Sequence, residues 1–223
     1  MDLSRWTPIN FRNAYQMVDV TIMAWIYGEN YDQFLPQWLD GIKNLNTKPK
    51  RIIVCSDRPR DIKGVEVIVK EIEPDWKVPN PYYANFICNY TDTEWMLLMD
   101  IDDVIDSQCL DGLNEIDADV WLMGININGH EKYLPPQMSN HSISTDPNCY
   151  FCFGSPFKRK LALDHPFHDS PYTDWIFWRQ IARAGAKFEW ANKIGYKYRK
   201  DFSNSMSGWA NAEVKWREEA LTL

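Results

Sequence analysis

The stretch WMLLMDIDDVID, Trp95 to Asp106, decides how the chain is read. It opens with five apolar residues, Trp95 to Met99, too short a run for a globular helix and suited to a strand buried on both faces. Asp100, Asp102 and Asp103 follow at once. Such a strand belongs in the middle of a helix-covered sheet, and its carboxyl end is the edge where open α/β sheets bind ligands. On an extended segment residues i and i+2 project the same way, so Asp100 and Asp102 are expected to converge on one hard cation. Carboxylates this close repel unless a cation or hydrogen bonds offset them. The competing reading has Asp102 or Asp103 capping a helix that follows Asp103. Capping accounts for one aspartate, not for three at the end of the most hydrophobic strand.

Upstream of this stretch, strands and helices alternate. DVTIMAWIYG, Asp19 to Gly28, is a β-rich apolar run closed by glycine. Phe34, Leu35, Trp38, Leu39, Ile42 and Leu45 recur at helical spacing and predict a helix over Tyr31 to Asn46. RIIVCSD (Arg51 to Asp57) and VEVIVKEI (Val65 to Ile72) read as strands, and Tyr82 to Tyr90, after Pro79 and Pro81, as a helix. This order predicts an α/β domain with a mostly parallel central sheet flanked by helices. Downstream the pattern is mixed. A helix is expected after Asp103, then a strand over Val120 to Ile127, a polar loop through Asp146 and a strand at CYFCFG, Cys149 to Gly154. Trp175 to Gly185 reads as a helix stopped by glycine, and Lys187 to Arg199 as a strand or bent ribbon. No repeat, low-complexity tract or linker interrupts residues 1–223, which predicts a single domain.

Composition excludes several classes. The 223 residues are 45% hydrophobic and 25% charged, enough apolar surface for a core without staples. No apolar run approaches the ~20 residues that span a bilayer. MDLSRWTPIN has no apolar stretch of the signal-peptide kind. Five cysteines, an odd number, suggest reduced thiols and a cytoplasmic location. Cys149 and Cys152 form a CxxC near His141, His165 and His168, but a strand would point the two thiols opposite ways, which argues against zinc. A net charge of −7 weighs against binding nucleic acid through backbone charge alone. The charge is also segregated: ten acidic residues and no Lys or Arg from Asp92 to Asp119, then ten basic residues from Lys158 to Lys200. Two solvated faces would explain this, and so would a site that holds a cation and an anion together. Eleven tryptophans offer surfaces for sugar rings or bases, although most must be core.

From Asp19 to about Ser207 the chain resembles the nucleotide-sugar glycosyltransferases of the GT-A fold, particularly the large family 2-like group. Four segments match in order. VTIMAWIYGENYDQFLPQWLDGI is similar to the family's opening strand and helix, with Tyr27 and Asn30 separated where the family has Tyr-Asn. RIIVCSDRPRD is similar to the second strand with its terminal aspartate, Asp57. ANFICNYTDTEWMLLMDIDD resembles the ArN-helix-strand-DxD unit, with Ala84, Asn85, Asp100 and Asp102 in place and the usual arginine missing. FGSPFKRK followed by YTDWIFWRQIARAGAKFEW resembles the acceptor-side segment, with Asp174 on the catalytic-base position and Thr173 in place of its acidic neighbour. YRKDFSNSMS is similar to the family's closing segment without the histidine often found there.

The resemblance implies a GT-A-like, Rossmann-like fold, with a nucleotide-binding half over about 19–103 and a smaller mixed acceptor-side half over about 104–207. It implies a metal-dependent glycosyltransferase that moves a sugar from a nucleoside-diphosphate donor, expected to be a UDP-sugar, to a hydroxyl acceptor with inversion. Asp174 would be the general base. Ala24, Tyr27, Asp57, Asn85, Asp100 and Arg199 would bind the nucleotide sugar, with Lys200 an alternative to Arg199 at the diphosphate. Asp100 and Asp102 would hold Mn2+ or Mg2+, and Asp57 would face the base. The chemistry agrees with the residue types: a diphosphate leaving group needs a divalent ion, and inversion needs a carboxylate opposite to take the acceptor's proton. Asp174 also stands where a helix N-cap would. The alternatives are a sugar transferase on modified DNA bases in a phage-like setting, a non-catalytic carbohydrate or nucleotide-sugar binder, and a nucleotidyltransferase on a similar sheet. A duplex substrate would require base flipping.

Overall fold

The computed structural model describes residues 16–76, 78–128, 131–134, 137–145 and 154–199. Among them nine strands form one sheet. The first half supplies β1 (Met17–Ile26), β2 (Lys48–Ser56), β3 (Glu66–Val69) and β4 (Trp95–Leu98), with α1 (Leu35–Lys43) and α2 (Asn80–Tyr90) between them. These four strands run parallel in the order β3-β2-β1-β4. The expected α/β alternation is therefore the one observed, with shifted boundaries. The helix expected from Tyr31 begins at Leu35 because Pro36, which lacks an N–H, is tolerated only in a first turn. Residues 31–34 form turns instead. No side chain caps α1. A missing cap costs ~1 kcal/mol, whereas burying Leu35, Trp38, Leu39 and Ile42 is worth about 1.5–3 kcal/mol each. Packing holds this helix.

The alternation along β1 assigns its residues to two layers. Val18, Val20, Ile22, Ala24 and Ile26 face α1, joined by Ile52 and Val54 of β2 and Trp95, Leu97 and Met99 of the β4 segment. Met23 and Trp25 face the other way, with Ile53, Cys55, Met96 and Leu98, against Tyr83, Ala84, Ile87 and Cys88 of α2. All four residues of β4 are buried, as a strand covered on both faces requires. Where β1 and the start of β4 meet, Thr21 bonds the hydroxyls of Thr91 and Thr93, each at 2.7 Å, so these buried polar groups are partnered.

The second half continues the same sheet. Its elements are β5 (Val104–Ile105), β6 (Val120–Ile127), β7 (Glu131–Tyr133), α3 (Asn140–Thr145), β8 (Phe157–Lys158), α4 (Arg159–Asp164), α5 (Thr173–Arg183) and β9 (Phe188–Tyr198). The order proceeds β4-β8-β6-β9-β5, with β7 on β6. β8 is antiparallel to both neighbours, β9 parallel to β6, and β5 antiparallel to β9. The mixed second half was expected, but three details differ. No helix follows Asp103: Val104 and Ile105 pair with Tyr196 and Lys197 of β9, and a β-branched pair on a strand edge suits that role. With the helix goes the reading of Asp102 or Asp103 as its cap. The expected polar loop through Asp146 contains β7 and α3, and Asn140 ties α3 to α5 by donating to the Ala182 and Ala186 carbonyls. The CYFCFG strand, with Cys149 and Cys152, lies outside the described residues except for Gly154.

The bent ribbon over Lys187–Arg199 is β9, which shifts register against β6 on both sides of Gly124. The two backbones approach closely there. A Cβ on Gly195 would stand 2.6 Å from Met123 Cβ. Gly195→Ala should therefore destabilise the protein by about 1–3 kcal/mol through overpacking, read as a lower midpoint in thermal or urea unfolding.

Candidate active site

The carboxyl ends of β1, β2 and β4 meet at one edge of the sheet, where Tyr27, Asp57, Asp100 and Asp102 follow them. The β4 segment ends in a turn: Met99 N–H still bonds Met23 on β1, and Asp103 N–H closes back on the Asp100 carbonyl at 3.1 Å. Asp100 and Asp102 are thus gathered by a β-turn, not by the same-side geometry of an extended strand. Asp174 joins them from the opposite half. Burial pushes the Asp100 carboxyl well above the usual range, and the Asp102 and Asp174 carboxylates push it further. Burial also raises Asp102, opposed by its own backbone N–H and by the Arg199 charge. Among the described residues, none of Asp100, Asp102, Asp103 or Asp174 makes an ion pair.

Asp174 is the second residue of α5; Tyr172 occupies the N-cap position and offers no side-chain cap. The N-cap reading of Asp174 is replaced by a place in the first helical turn. Burial raises its carboxyl to about 6, against the pull of the Trp175 N–H and its own. Ordinary carboxyls titrate near 4, so this one changes charge close to neutrality.

Asp103, for which the sequence offered only a helix cap, fastens this edge to β9. It is buried, and one carboxylate oxygen accepts the Arg199 N–H at 2.9 Å. Its other oxygen has no partner among the described residues. Burial, then Asp100 and Asp102, hold its pKa well above the usual range, against the Arg199 N–H. Arg199 reaches back to α1, where its guanidinium bonds Gln37 and lies 4.6 Å from the Phe34 ring centroid. Tyr196 and Tyr198 of β9 border the same carboxylates. Burial, then Asp103 and the others, pushes Tyr198 up to about 12. Their only sequence signal was their alternate placing in IGYKYRK.

The remaining expected residues lie on the nucleotide side. Ala24 is buried in β1 and packs in the α1 layer. Tyr27 follows β1 and stands 5.7 Å, centroid to centroid, from Tyr31; burial, then Tyr31, Asp100 and Asp102, raise its pKa. Asp57 directly follows β2 and accepts the Gly28 N–H at 2.8 Å and Arg60 at 2.7 Å. Burial alone would raise it, but these partners hold it below the usual range. Arg60 also grips Asp32 and the Gly28 carbonyl, so Asp57 anchors the turn that carries Tyr27 and Tyr31. Asn85 is engaged elsewhere. Its amide donates to the Phe167 carbonyl and accepts the Phe167 N–H, both at 2.8 Å, tying α2 to the loop before α5. Lys200 lies outside the described residues.

No protein-family model and no curated protein matches the chain. Solved structures do. Staphylococcus aureus TarS 1-349 in complex with UDP-GlcNAc matches with a TM-score of 0.64 at 17% identity, over 84% of this chain and 60% of that one. The mannosyltransferase PcManGT from Pyrobaculum calidifontis, in complex with GDP-Man and Mn2+, matches with a TM-score of 0.61 at 14% identity, over 94% of this chain and 66% of that one. The fold is that of these glycosyltransferases. The GT-A-like expectation is met, and the chain spans about 60% of the length of TarS 1-349.

Among the described residues no group of three or more His, Cys, Asp or Glu is placed to hold a metal ion, and no helix is long and apolar enough to cross a membrane. Cys55, Cys88 and Cys109 are buried free thiols, each pushed up to about 12 by burial. His168 pairs its Nε2 with Gln180.

The folded protein holds the Asp174 carboxyl at about 6, above the 3.8 of an ordinary aspartate. Its contribution is therefore fully favourable below 3.8 and is lost as pH rises through about 6. Asp174→Asn should raise the melting temperature above pH 7, by at most about 3 kcal/mol of stability, and the gain should vanish near pH 4. Unfolding curves of both proteins across this range check it.

Proposed function

We propose that the protein is a glycosyltransferase that moves a sugar from a nucleoside-diphosphate donor to a hydroxyl acceptor. The observation that carries this reading is the convergence of Asp100 and Asp102, at the carboxyl end of β4, with Asp174 from the first turn of α5. The fold shared with TarS and PcManGT supports it, the one in complex with UDP-GlcNAc and the other with GDP-Man and Mn2+.

The donor set suits a divalent cation. Buried carboxylates without a counter-charge are costly, and a hard cation is the natural offset. Asp102 and Asp100 would hold it, with diphosphate oxygens and water completing the shell. Bound there, Mn2+ or Mg2+ supplies charge stabilisation for the departing diphosphate. Arg199, held by Gln37 and Asp103, adds positive charge on the same side. Asp57 fixes the turn beside the base, and Tyr27 with Tyr31 walls the donor cleft. Asp174 accepts the proton of the acceptor hydroxyl as that oxygen attacks the anomeric carbon from the face opposite the diphosphate. That geometry inverts the centre. A carboxyl titrating near 6 is ionised at neutral pH yet basic enough to take a proton. We further propose a UDP-sugar donor, a single domain over residues 1–223 and a cytoplasmic location, the last supported by the three free thiols.

Two measurements test the site. Asp102→Ala should lose manganese-dependent binding of a nucleoside diphosphate while remaining folded; unchanged metal-dependent affinity removes Asp102 from the site. Asp174→Asn should lower transfer by about 10²–10⁴ with donor affinity retained. In the wild type, kcat/KM should fall about tenfold per pH unit below about 6, because the base must be unprotonated. A flat profile from pH 5 to 8, or full transfer by the Asn variant, would place the base elsewhere.

A further inference from the structure

The path of the sheet ends in β5 on one side and β3 on the other, and the chain treats the two edges differently. β5 is only two residues long, and a strand that short blunts its edge. β3 has four residues, pairs with β2 without a shift of register, and has no strand on its outer side among the described residues. Its surroundings, VEVIVKEI from Val65 to Ile72, hold neither Pro nor Gly. The Lys70 N–H bonds the Ser56 carbonyl of β2 at 2.8 Å, so the chain stays extended through Lys70 and even-numbered residues turn their main chain toward β2. The N–H and C=O groups of Val67 and Val69 therefore point outward, a template for another strand. Apolar side chains gather at the same edge. Val69, Ile72 and Tyr90 are three of the six large hydrophobics left exposed among the described residues. Tyr90 is tied to the strand by its hydroxyl, which donates to Glu66 at 2.6 Å.

The strand is its own complement. Set antiparallel against a second copy about a two-fold axis at Ile68, EVIVK places Glu66 opposite Lys70, Val67 opposite Val69 and Ile68 opposite itself. Hydrogen-bonding parity agrees. Val67 and Val69 point outward, so in this register they form two pairs that each exchange both N–H···O bonds. Ile68 and the two Glu66–Lys70 pairs fall on the intervening positions, where Cα atoms stand ~4.5 Å apart and side chains are closest. Glu66, Ile68 and Lys70 share one face, so opposite charges meet at both ends of the seam. Both ions have capacity left. Glu66 takes Arg51 on one oxygen and Tyr90 on the other, each at 2.6 Å, but a carboxylate accepts about four bonds and this side chain is 37% exposed. Lys70 makes no ion pair among the described residues. Its Nζ lies 5.6 Å from the Phe86 ring centroid and 5.5 Å from that of Trp76, which stacks in turn on Tyr82. A lysine on an edge commonly guards it against pairing. Here the two charges guard against every register but one. A slip of two residues sets Glu66 or Lys70 opposite Ile68, and a slip of four sets like charge against like. We propose that the protein forms a two-fold dimer by antiparallel pairing of β3 with β3 of a second copy, joining two sheets into one. Such an interface uses the same patch on both copies and closes at two. The proposal stands apart from the transferase reading.

Sedimentation equilibrium of the full chain tests it, over concentrations from about 1 to about 200 µM. One strand seam with its flanking side chains is small beside the ~1,600 Å² of a standard interface, so the expected species is a dimer with a micromolar dissociation constant. Lys70→Glu, which opposes carboxylates at both ends of the seam, should weaken it at least about tenfold. Glu66→Lys should weaken it as well. The chain carrying both substitutions faces opposite charges again and should return close to the wild-type constant. Val69→Pro removes an outward N–H and no bond to β2, so it should abolish the dimer. Melting temperatures, taken at concentrations where the wild type is monomeric, should stay unchanged in Lys70→Glu and Val69→Pro and so separate folding from association. A wild type that stays monomeric throughout, as it would if its own chain covers the edge, overturns the proposal. So does a dimer that Lys70→Glu and Val69→Pro leave unchanged, or an assembly that grows beyond two. Should Val69→Pro fail to fold, the charge exchange decides alone: no recovery in the doubly substituted chain overturns the pairing.

Discussion

Burying several carboxylates side by side is among the least favourable things a protein does, and the site is organised around that constraint. An unpaired buried charge costs several kcal/mol unless it is neutralised or hydrogen-bonded. Here the groups shift upward together: Asp100 under the influence of Asp102 and Asp174, and Asp103 under Asp100 and Asp102. The protein offers only partial relief, from the Arg199 main chain to Asp103 and the Arg199 charge near Asp102. On the reading proposed above, a bound cation would supply the remainder. Asp174, whose neighbours are its own helix's N–H groups, shares the desolvation but is poised near neutrality. On the same reading, two carboxylates for a cation and one for a proton would follow from different surroundings at one edge.

That arrangement requires both halves of the chain to be held in register. The continuous sheet does most of this, since β8 lies between β4 and β6 and joins the parallel half to the mixed half. Side-chain links do the rest. Asn85 fastens α2 to the Phe167 main chain, six residues ahead of the α5 turn that carries Asp174. Asp103 fastens the β4 turn to the end of β9. Arg60 and Asp57 fasten the Gly28–Asp32 turn beside them. Asp103 is buried and Asn85 half-buried, so their bonds satisfy polar groups as well as placing the elements.

Much of this was legible in the residues. The strands that became β1, β2, β4 and β6 follow from apolar runs whose burial on two faces leaves no other reading, and the parallel order follows from their alternation with helices. The three aspartates closing β4 pointed to the site because such residues at a strand's carboxyl end have no packing role. The errors share a cause. A helix was expected after Asp103, where Val104 and Ile105 instead pair with β9, ninety residues away in sequence. The competing cap reading of Asp102 or Asp103 goes with that helix, and Asp174, for which an N-cap was the competing reading, stands in the first turn.

By itself, then, the sequence determined the layered α/β class, the central strand and the identity of the acidic residues, because hydrophobic periodicity and local chemistry are properties of neighbours along the chain. It did not determine that a β-turn gathers Asp100 and Asp102, that Asp103 binds the Arg199 main chain, or that Tyr82 is backed by Trp76 and faces the loop before α5. Nor did it give Asp174 its elevated pKa, which comes from the burial around it. Those features depend on which distant segments are brought together and how much water is removed between them. Only the tertiary structure decides either, because desolvation and hydrogen-bond partnership act through space rather than along the chain.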